Sequence, residues 1–514
     1  MGLYLPRGSV PMPRTIVGLD LEVCERVVRE QPENANEWNT LCAAYMEHER
    51  WGDAREAVDH ALTLDPELPI AWFNSANCAQ MCGQYDLAVT HYRKALELDP
   101  GFHACRGNLI FLLDLMASTT PEQALAERLT YRSALWEKPS FEHVNTRDRD
   151  RPLRVGYVSA QFKLHSASRC FSPVITEHDP SQITPYFYCT LLPAQFDDVT
   201  DQYRNYVNEH WRQVHDLTSG ALADLIHEDE IDILVDLAGH TEGGRLRTFC
   251  MKPAPIQVTA WGYITGTGCP ELDYIFTDPI VAPPEYASHY VERLEYLPCV
   301  VPFEPQDWMP PVERPPSLRQ SFITFGCLNR PSKIGQETLD LWSRVLARVP
   351  TSRLLLKSDE YERPTVLDRI VQGLVQAGVD RGRIGVLGGS PTLQHIAVYE
   401  GIDVILDPFP HSGGLTALEG LWQGAPIVTL IGPRPVERLA SSFLSTIGLP
   451  EFIAKTPDEY VEIAAKAVSD VQRLARLRAT MRERIRKSAL MGRHYVDAVE
   501  SSYRQMFLRW LGGD

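Results

Sequence analysis

Apolar and polar positions change their period once along the chain, near Pro152. Before that point, residues 20–116 repeat at an interval of 34: Pro32, Pro66 and Pro100 are spaced so, and so are Trp38 and Trp72. In the same register Ala54, Val58 and Ala61 return as Ala88, Tyr92 and Ala95, and Thr63-Leu64-Asp65-Pro66 returns as Glu97-Leu98-Asp99-Pro100. Small residues stand where two helices touch, and a proline closes the second helix. This is the tetratricopeptide period, with two full repeats, a half before Pro32 and the opening of a third near 103–116. So few repeats cannot bury their faces alone and should lean on the next domain. Such an array offers a groove to a protein or peptide, or serves only as a packing collar.

After Pro152 short apolar runs alternate with helical stretches. Strands are predicted at 153–159, 186–192, 231–238 and 256–261, then at 322–327, 352–357, 384–387, 404–406 and 427–430. The alternation implies βαβ units and parallel sheets. Between the two sets, 302–316 holds six prolines, too many for a helix or a central strand, and reads as a linker. Helical sequence closes the chain from about Asp458. The predicted architecture is α/β with an N-terminal all-α part. It comprises a tail over 1–20, repeats and connecting helices over 21–150, and a Rossmann-like lobe over 151–301. The linker over 302–316 then leads to a nucleotide-binding Rossmann-like lobe with closing helices over 317–514. Two such lobes leave a cleft at the carboxyl ends of their strands.

Composition narrows the partners. The 514 residues are 44% hydrophobic and 23% charged, enough for a large core, and the net charge of −17 argues against a general nucleic-acid binder. No apolar run reaches the length of a membrane span. The first nine residues lack the apolar core of a secretory signal, and Pro6 stands where a myristoylation signal wants Ser or Thr. Eleven cysteines without a CxxC pair read as reduced thiols, so the expected location is the cytoplasm.

The chemistry concentrates at predicted strand ends. In Asp407–Gly424, an apolar run breaks into Ser412-Gly413-Gly414 and enters a helix marked by Leu415, Leu418 and Leu421. Free N–H groups and the positive end of the helix dipole suit a phosphate there, or the stretch is an ordinary strand-to-helix connection. Thr416 and Glu419 lie in the first turns, where Glu419 can accept from ribose hydroxyls. His165, past the first predicted strand, has a pKa suited to general-base work, or is a loop histidine bonded to backbone. His240 and Thr241 sit in a Gly-flanked loop able to orient sugar hydroxyls, and Gly262 follows Trp261 in a third loop. Arg330 and Lys333 follow the strand ending at Cys327, and Lys333 can balance a diphosphate or be a surface lysine. No Asp-x-Asp motif or histidine pair supplies a metal site, so Lys333, Arg330 or Arg438 and the helix N-terminus would meet the leaving charge.

Together these segments resemble the O-linked N-acetylglucosamine transferase family, which includes the SPINDLY-type proteins. The resemblance rests on the repeats, Arg154–Ser159 with His165, Asp236–Thr241, Pro253-Ala254-Pro255-Ile256-Gln257-Val258, Trp261-Gly262-Tyr263, Asn329–Lys333, His395 and Asp407–Gly424. It implies an inverting, metal-independent glycosyltransferase of the two-lobed GT-B fold. Such an enzyme moves GlcNAc from UDP-GlcNAc to Ser or Thr of a protein acceptor bound along the repeat groove, with no nucleic acid or membrane partner. By resemblance, His165 adjoins the attacking hydroxyl and Lys333 stabilises the leaving diphosphate, with His240 counted beside them as catalytic. His395 lies by the uracil, Thr416 donates to phosphate and Glu419 holds the ribose. Arg330, Ser412, Gly413, Gly414, Arg438, Thr241 and Gly262 complete the expected donor site. Gly414-Leu415-Thr416 replaces the His-Thr-Thr of animal members, Glu419 replaces Asp, and Ile264 replaces a proline. GDP-fucose or UDP-glucose to asparagine remain alternative chemistries, and an inactive nucleotide-binding scaffold is the alternative class.

Overall fold

The computed structural model describes residues 19–135 and 141–513. The predicted tail therefore falls outside the described residues, apart from 19 and 20. Seven helices come first: α1 (Leu21–Glu30), α2 (Ala35–Glu47), α3 (Trp51–Leu64), α4 (Pro69–Met81), α5 (Tyr85–Leu98), α6 (His103–Leu115) and α7 (Pro121–Leu135). The period of 34 has a direct physical reading. Trp38 donates its indole N–H to Pro32 O at 2.8 Å, and Trp72 makes the same bond to Pro66 O at 2.8 Å. Ala54, Ala61, Ala88 and Ala95 are fully buried where paired helices approach, so a larger side chain there would part them. The third pair, α6–α7, is complete.

The first lobe carries a seven-stranded parallel sheet of β1 (Leu153–Ser159), β2 (Ile183–Cys189), β3 (Trp211–Gln213), β4 (Ile233–Asp236), β5 (Ile256–Thr259), β6 (Tyr274–Thr277) and β7 (Arg293–Tyr296), in the order β3-β2-β1-β4-β5-β6-β7. The second carries β8 (Ile323–Cys327), β9 (Ser352–Lys357), β10 (Ile384–Leu387), β11 (Val404–Leu406), β12 (Ile427–Leu430) and β13 (Ile453–Ala454), in the order β10-β9-β8-β11-β12-β13. Strand order reverses between β1 and β4 and again between β8 and β11. Loops leaving those pairs diverge and open a crevice, the place where open α/β sheets bind ligands. Among the described residues no helix is long and apolar enough to cross a membrane.

The expected division at 317–514 needs one correction. The final helix, Arg493–Gly512, returns to the first lobe. Its Tyr495 accepts from Trp261 Nε1 at 3.0 Å and donates to Cys299 O at 2.9 Å, and Glu500 accepts from Asp179 N at 2.8 Å. Its buried face, with Tyr495, Val499, Tyr503 and Phe507, matches that lobe's apolar flank, and exposing it would be unfavourable.

The repeats lean on both lobes. Arg128 of α7 donates through Nη2 to both oxygens of Asp114 on α6, at 2.7 and 2.8 Å, and to Thr265 Oγ1 of the first lobe at 2.8 Å. Arg434 of the second lobe, buried and paired with Glu437, donates to Leu113 O of α6 at 2.9 Å. Removing one member of a buried ion pair leaves an uncompensated charge, typically destabilising by about 3–5 kcal/mol. Arg128→Met should therefore lower the unfolding free energy measured in urea by that order, and Arg128→Met with Asp114→Leu should recover part of the loss. A single variant as stable as the parent would show the pair is not holding the array in place.

Candidate active site

Asp407, at the end of β11, builds the loop beyond it. Its buried carboxylate accepts from Ser412 Oγ at 2.7 Å, Gly413 N at 2.8 Å and Thr429 Oγ1 at 2.7 Å. Burial pushes its pKa up to about 6, against the pull of those donors and of Lys333. Ser412 Oγ also accepts from Ala440 N at 3.0 Å, and Ser412 N donates to Val436 O at 2.9 Å. Ser412 and Gly413 were expected to meet the donor directly. Their donors instead hold the loop, because a buried carboxylate needs them. A Cβ on Gly413 would lie 3.1 Å from Asp407 Oδ1 and 3.2 Å from Ala417 Cβ, so that glycine answers to packing.

Gly414 differs. A Cβ there would meet nothing within 4 Å. The helix Leu415–Trp422 starts at this point, and among the described residues the N–H groups of Gly414, Leu415 and Thr416 donate to no protein acceptor. Three free amides at a helix N-terminus, beside the open space at Gly414, make a cradle for an anion.

Lys333 reaches the same loop. It ends the short turn Pro331–Lys333 after β8 and donates to Ser412 O at 2.9 Å. Burial and then the Arg330 guanidinium push its pKa down to about 8, while Asp407 pulls the other way. Arg330 itself is exposed.

In the first lobe His165 caps the helix Ser166–Ile175: its Nδ1 accepts from Ala167 N at 3.1 Å. A neutral ring accepting at Nδ1 carries its hydrogen on Nε2, so the free nitrogen is a donor. Burial, Lys163 and Arg330 lower its pKa. Arg330 thus acts on both His165 and Lys333, which places the two lobes' candidates on one cleft. One turn beyond His165, Arg169 donates to Glu419 Oε1, joining lobe to lobe. Burial raises the Glu419 carboxyl and Arg169 lowers it. Arg169 was not foreseen; its position four residues after His165, on the same helix face, was the available signal. His395, half-buried on Thr392–Ala397, has its pKa lowered by burial and then by Lys357.

Four expected residues are not where the sequence placed them. His240 is buried beneath α7, edge-on to Tyr131 at 4.5 Å between ring centroids, with Nε2 at 2.8 Å from Thr267 O. Burial and then Arg128 push its pKa down to about 3, so it stays a neutral core histidine. Thr241 donates its hydroxyl to Ala238 O at 2.6 Å, within its own loop. A Cβ on Gly262 would fall 1.8 Å from Leu237 O, so glycine is required there by a neighbouring strand end. Arg438 donates to Ile280 O and Gly432 O, both at 2.6 Å, and lies over the Tyr286 ring; it ties the lobes together. Among the described residues no three of His, Cys, Asp and Glu gather where they could hold a metal ion.

The family model described as glycosyl transferase family 41 matches residues 124–303 and 314–499, and a tetratricopeptide repeat model matches 69–102. A protein of Arabidopsis thaliana described as a probable UDP-N-acetylglucosamine–peptide N-acetylglucosaminyltransferase SPINDLY is 34% identical over 379 residues, covering 72% of this chain and 41% of that protein. Another from the same organism, described likewise with the name SEC, is 32% identical over 371 residues, covering 69% of this chain and 37% of that one. The chain spans less than half the length of these relatives. The solved structure of a lysine-to-methionine mutant of the Thermobaculum terrenum O-GlcNAc transferase matches with a TM-score of 0.88 at 33% identity, covering 96% of this chain and 94% of that one.

The geometry makes Lys333 an unusually acidic ammonium. Labelling with acetic anhydride across neutral and alkaline pH, read by mass spectrometry, should show its amine titrating near pH 8. Arg330→Met removes a neighbouring cation and should move that midpoint upward. A midpoint at the ordinary lysine value in the parent protein would show that the amine is solvated.

Proposed function

The chain belongs to glycosyl transferase family 41, and from that premise we propose that it is an inverting protein glycosyltransferase moving GlcNAc from UDP-GlcNAc to Ser or Thr hydroxyls. The observation that carries the reading is the convergence of the Lys333 ammonium and three free amides on the loop between β11 and the helix Leu415–Trp422. A diphosphate is the ligand that needs both. Glu419, one turn further in, is a buried carboxylate suited to accept from ribose hydroxyls, and the resemblance assigns His395 to the uracil.

In the reaction, the acceptor oxygen attacks C1 of the sugar from the face opposite the diphosphate. The bond between C1 and the β-phosphate oxygen breaks, UDP departs carrying the bonding pair, and the hydroxyl proton passes to a phosphate oxygen of UDP or to water. A fixed cation stabilises that developing charge more than it stabilises bound donor. Metal need not take part, because protein cations and helix amides meet the charge. The α1–α7 array would present the acceptor protein to the cleft; its ties to both lobes through Arg128 and Arg434 support that reading.

Lys333→Met should lower turnover on a peptide acceptor on the order of a hundredfold, with UDP-GlcNAc affinity by calorimetry weakening less. Near-normal turnover would remove Lys333 from the chemistry. Thermal shifts against UDP-GlcNAc, UDP-glucose and GDP-fucose identify the donor, and a larger shift with either of the latter two would replace the proposed sugar.

The protonated amine is the active form, and its pKa is depressed to about 8. Turnover should therefore hold below that value and fall as pH rises through it. UDP affinity should survive EDTA; affinity that collapses in chelator and returns with Mg²⁺ or Mn²⁺ would overturn the metal-free reading.

A further inference from the structure

The turn that carries Lys333 is held from outside itself. Pro331–Lys333 is one turn of 3-10 helix, with internal bonds only from Lys333 N to Arg330 O and from Ile334 N to Pro331 O, each 3.0 Å. Short 3-10 turns have poor hydrogen-bond geometry and are weakly specified on their own. Here the two carbonyls of the turn before the lysine's own, and that of Ile334 just after it, receive side-chain donors. Arg369, on the helix Pro364–Gln376, donates to Pro331 O and to Ile334 O, both at 2.8 Å. Between them in sequence, Ser332 O accepts from Tyr85 OH at 2.8 Å. Tyr85 is the first residue of α5, so the bond comes from the repeat array, 247 residues earlier in sequence.

The contact is built on both sides. The turn between α4 and α5 places Gly83 at φ +74°, and a Cβ there would lie 2.6 Å from Arg369 Cδ. Only glycine suits both the conformation and that approach. The repeat turn thus presses on the same arginine that holds the lysine turn. One repeat earlier, Glu49 pairs with Arg363, so two successive repeat turns dock on the 363–369 segment. That earlier contact does not touch the lysine turn.

We propose that the repeat array is part of the donor-side machinery: Tyr85 is a positioning residue for Lys333. The inference rests on the role of Lys333 given above. A half-buried phenol fixes the carbonyl one residue before the lysine, and the lysine's amine must sit where charge develops on the leaving phosphate. Misplacing such a group by about 1 Å costs up to a hundredfold in rate. Occupancy or flexing of the repeat groove would then be felt at the leaving group as well as at the acceptor.

The test uses the full chain and hydrolysis of UDP-GlcNAc by water, which needs no protein acceptor, beside transfer to a peptide. Tyr85→Phe keeps the ring and deletes the donor. It should lower kcat roughly tenfold in both assays, leave UDP affinity within about twofold, and have no further effect in a Lys333→Met background. Arg363→Gln, which breaks only the earlier docking contact, should leave kcat unchanged. Arg369→Gln serves as the second probe of the same turn and should follow Tyr85→Phe. Unchanged hydrolysis in both turn variants would overturn the proposal. So would a loss in Tyr85→Phe that persists undiminished in the Lys333→Met background, since that is the mark of general destabilisation. If Lys333→Met alone hydrolyses donor normally, the role of Lys333 fails, and that failure is read separately from the effect of Tyr85→Phe.

Discussion

The site depends on one buried carboxylate. Asp407 gathers a hydroxyl from Ser412, an amide from Gly413 and a hydroxyl from Thr429, and so fixes where the chain turns from strand into helix. That carboxylate takes the Gly413 amide, and among the described residues the amides of the next three residues donate to no protein acceptor. Because Ser412 is held, its carbonyl stands where Lys333 can reach it. Burial makes the arrangement costly to assemble, as the raised carboxyl and the depressed lysine both record. Each charge favours the ionised form of the other, and the hydroxyl donors add to that for the carboxylate.

Around that point the lobes are joined by polar ties as well as apolar packing. Arg169 meets Glu419 across the cleft, Arg438 reaches Ile280 O, and the last helix carries Tyr495 back to Trp261. The repeats add Arg434 on Leu113 O and Arg128 on Thr265. Of these, only the Arg169–Glu419 bond lies on a residue that a donor would use. Glu419 has two oxygens, and Arg169 donates to Oε1, which orients the carboxylate and opposes the upward pull of burial on its pKa. That bond ties the helix capped by His165 to the helix that carries Glu419.

Much of the framework is legible in the sequence. The 34-residue spacing sets the helix pairs because each tryptophan repeats one bond to a proline carbonyl. The runs at 153–159, 352–357, 384–387, 404–406 and 427–430 are strands with those limits, and the fully buried ones, β11 and β12, read as unbroken apolar runs or nearly so. The strands β3, β6, β7 and β13 escape notice: β3, β7 and β13 lie at sheet edges and β7 is partly exposed, while β6 is an interior strand whose four buried residues are too short a run to stand out from the loops around it. The return of the final helix is equally hidden, because an amphipathic helix does not say which lobe it faces. Within the site, residue type is readable and the state of each donor is not. Ser412, Gly413, Gly262 and His240 have the chemistry of ligand contacts, yet neighbours distant in sequence occupy or crowd them.

His165 shows what that distinction means for mechanism. A histidine past a strand end suggests a base, and a base needs a free lone pair. Here the Nδ1 lone pair caps a helix through Ala167 N, which leaves an N–H at Nε2. To take a proton at Nε2 the neutral ring would have to move its hydrogen to Nδ1, and the cap would be lost at about 1 kcal/mol. Burial beside Lys163 and Arg330 further weakens the ring as a base. The same features suit a donor: a neutral N–H, fixed by its own helix and carried on the element that sends Arg169 across to Glu419. The residue's geometry therefore favours donating a hydrogen bond to an acceptor oxygen over removing its proton.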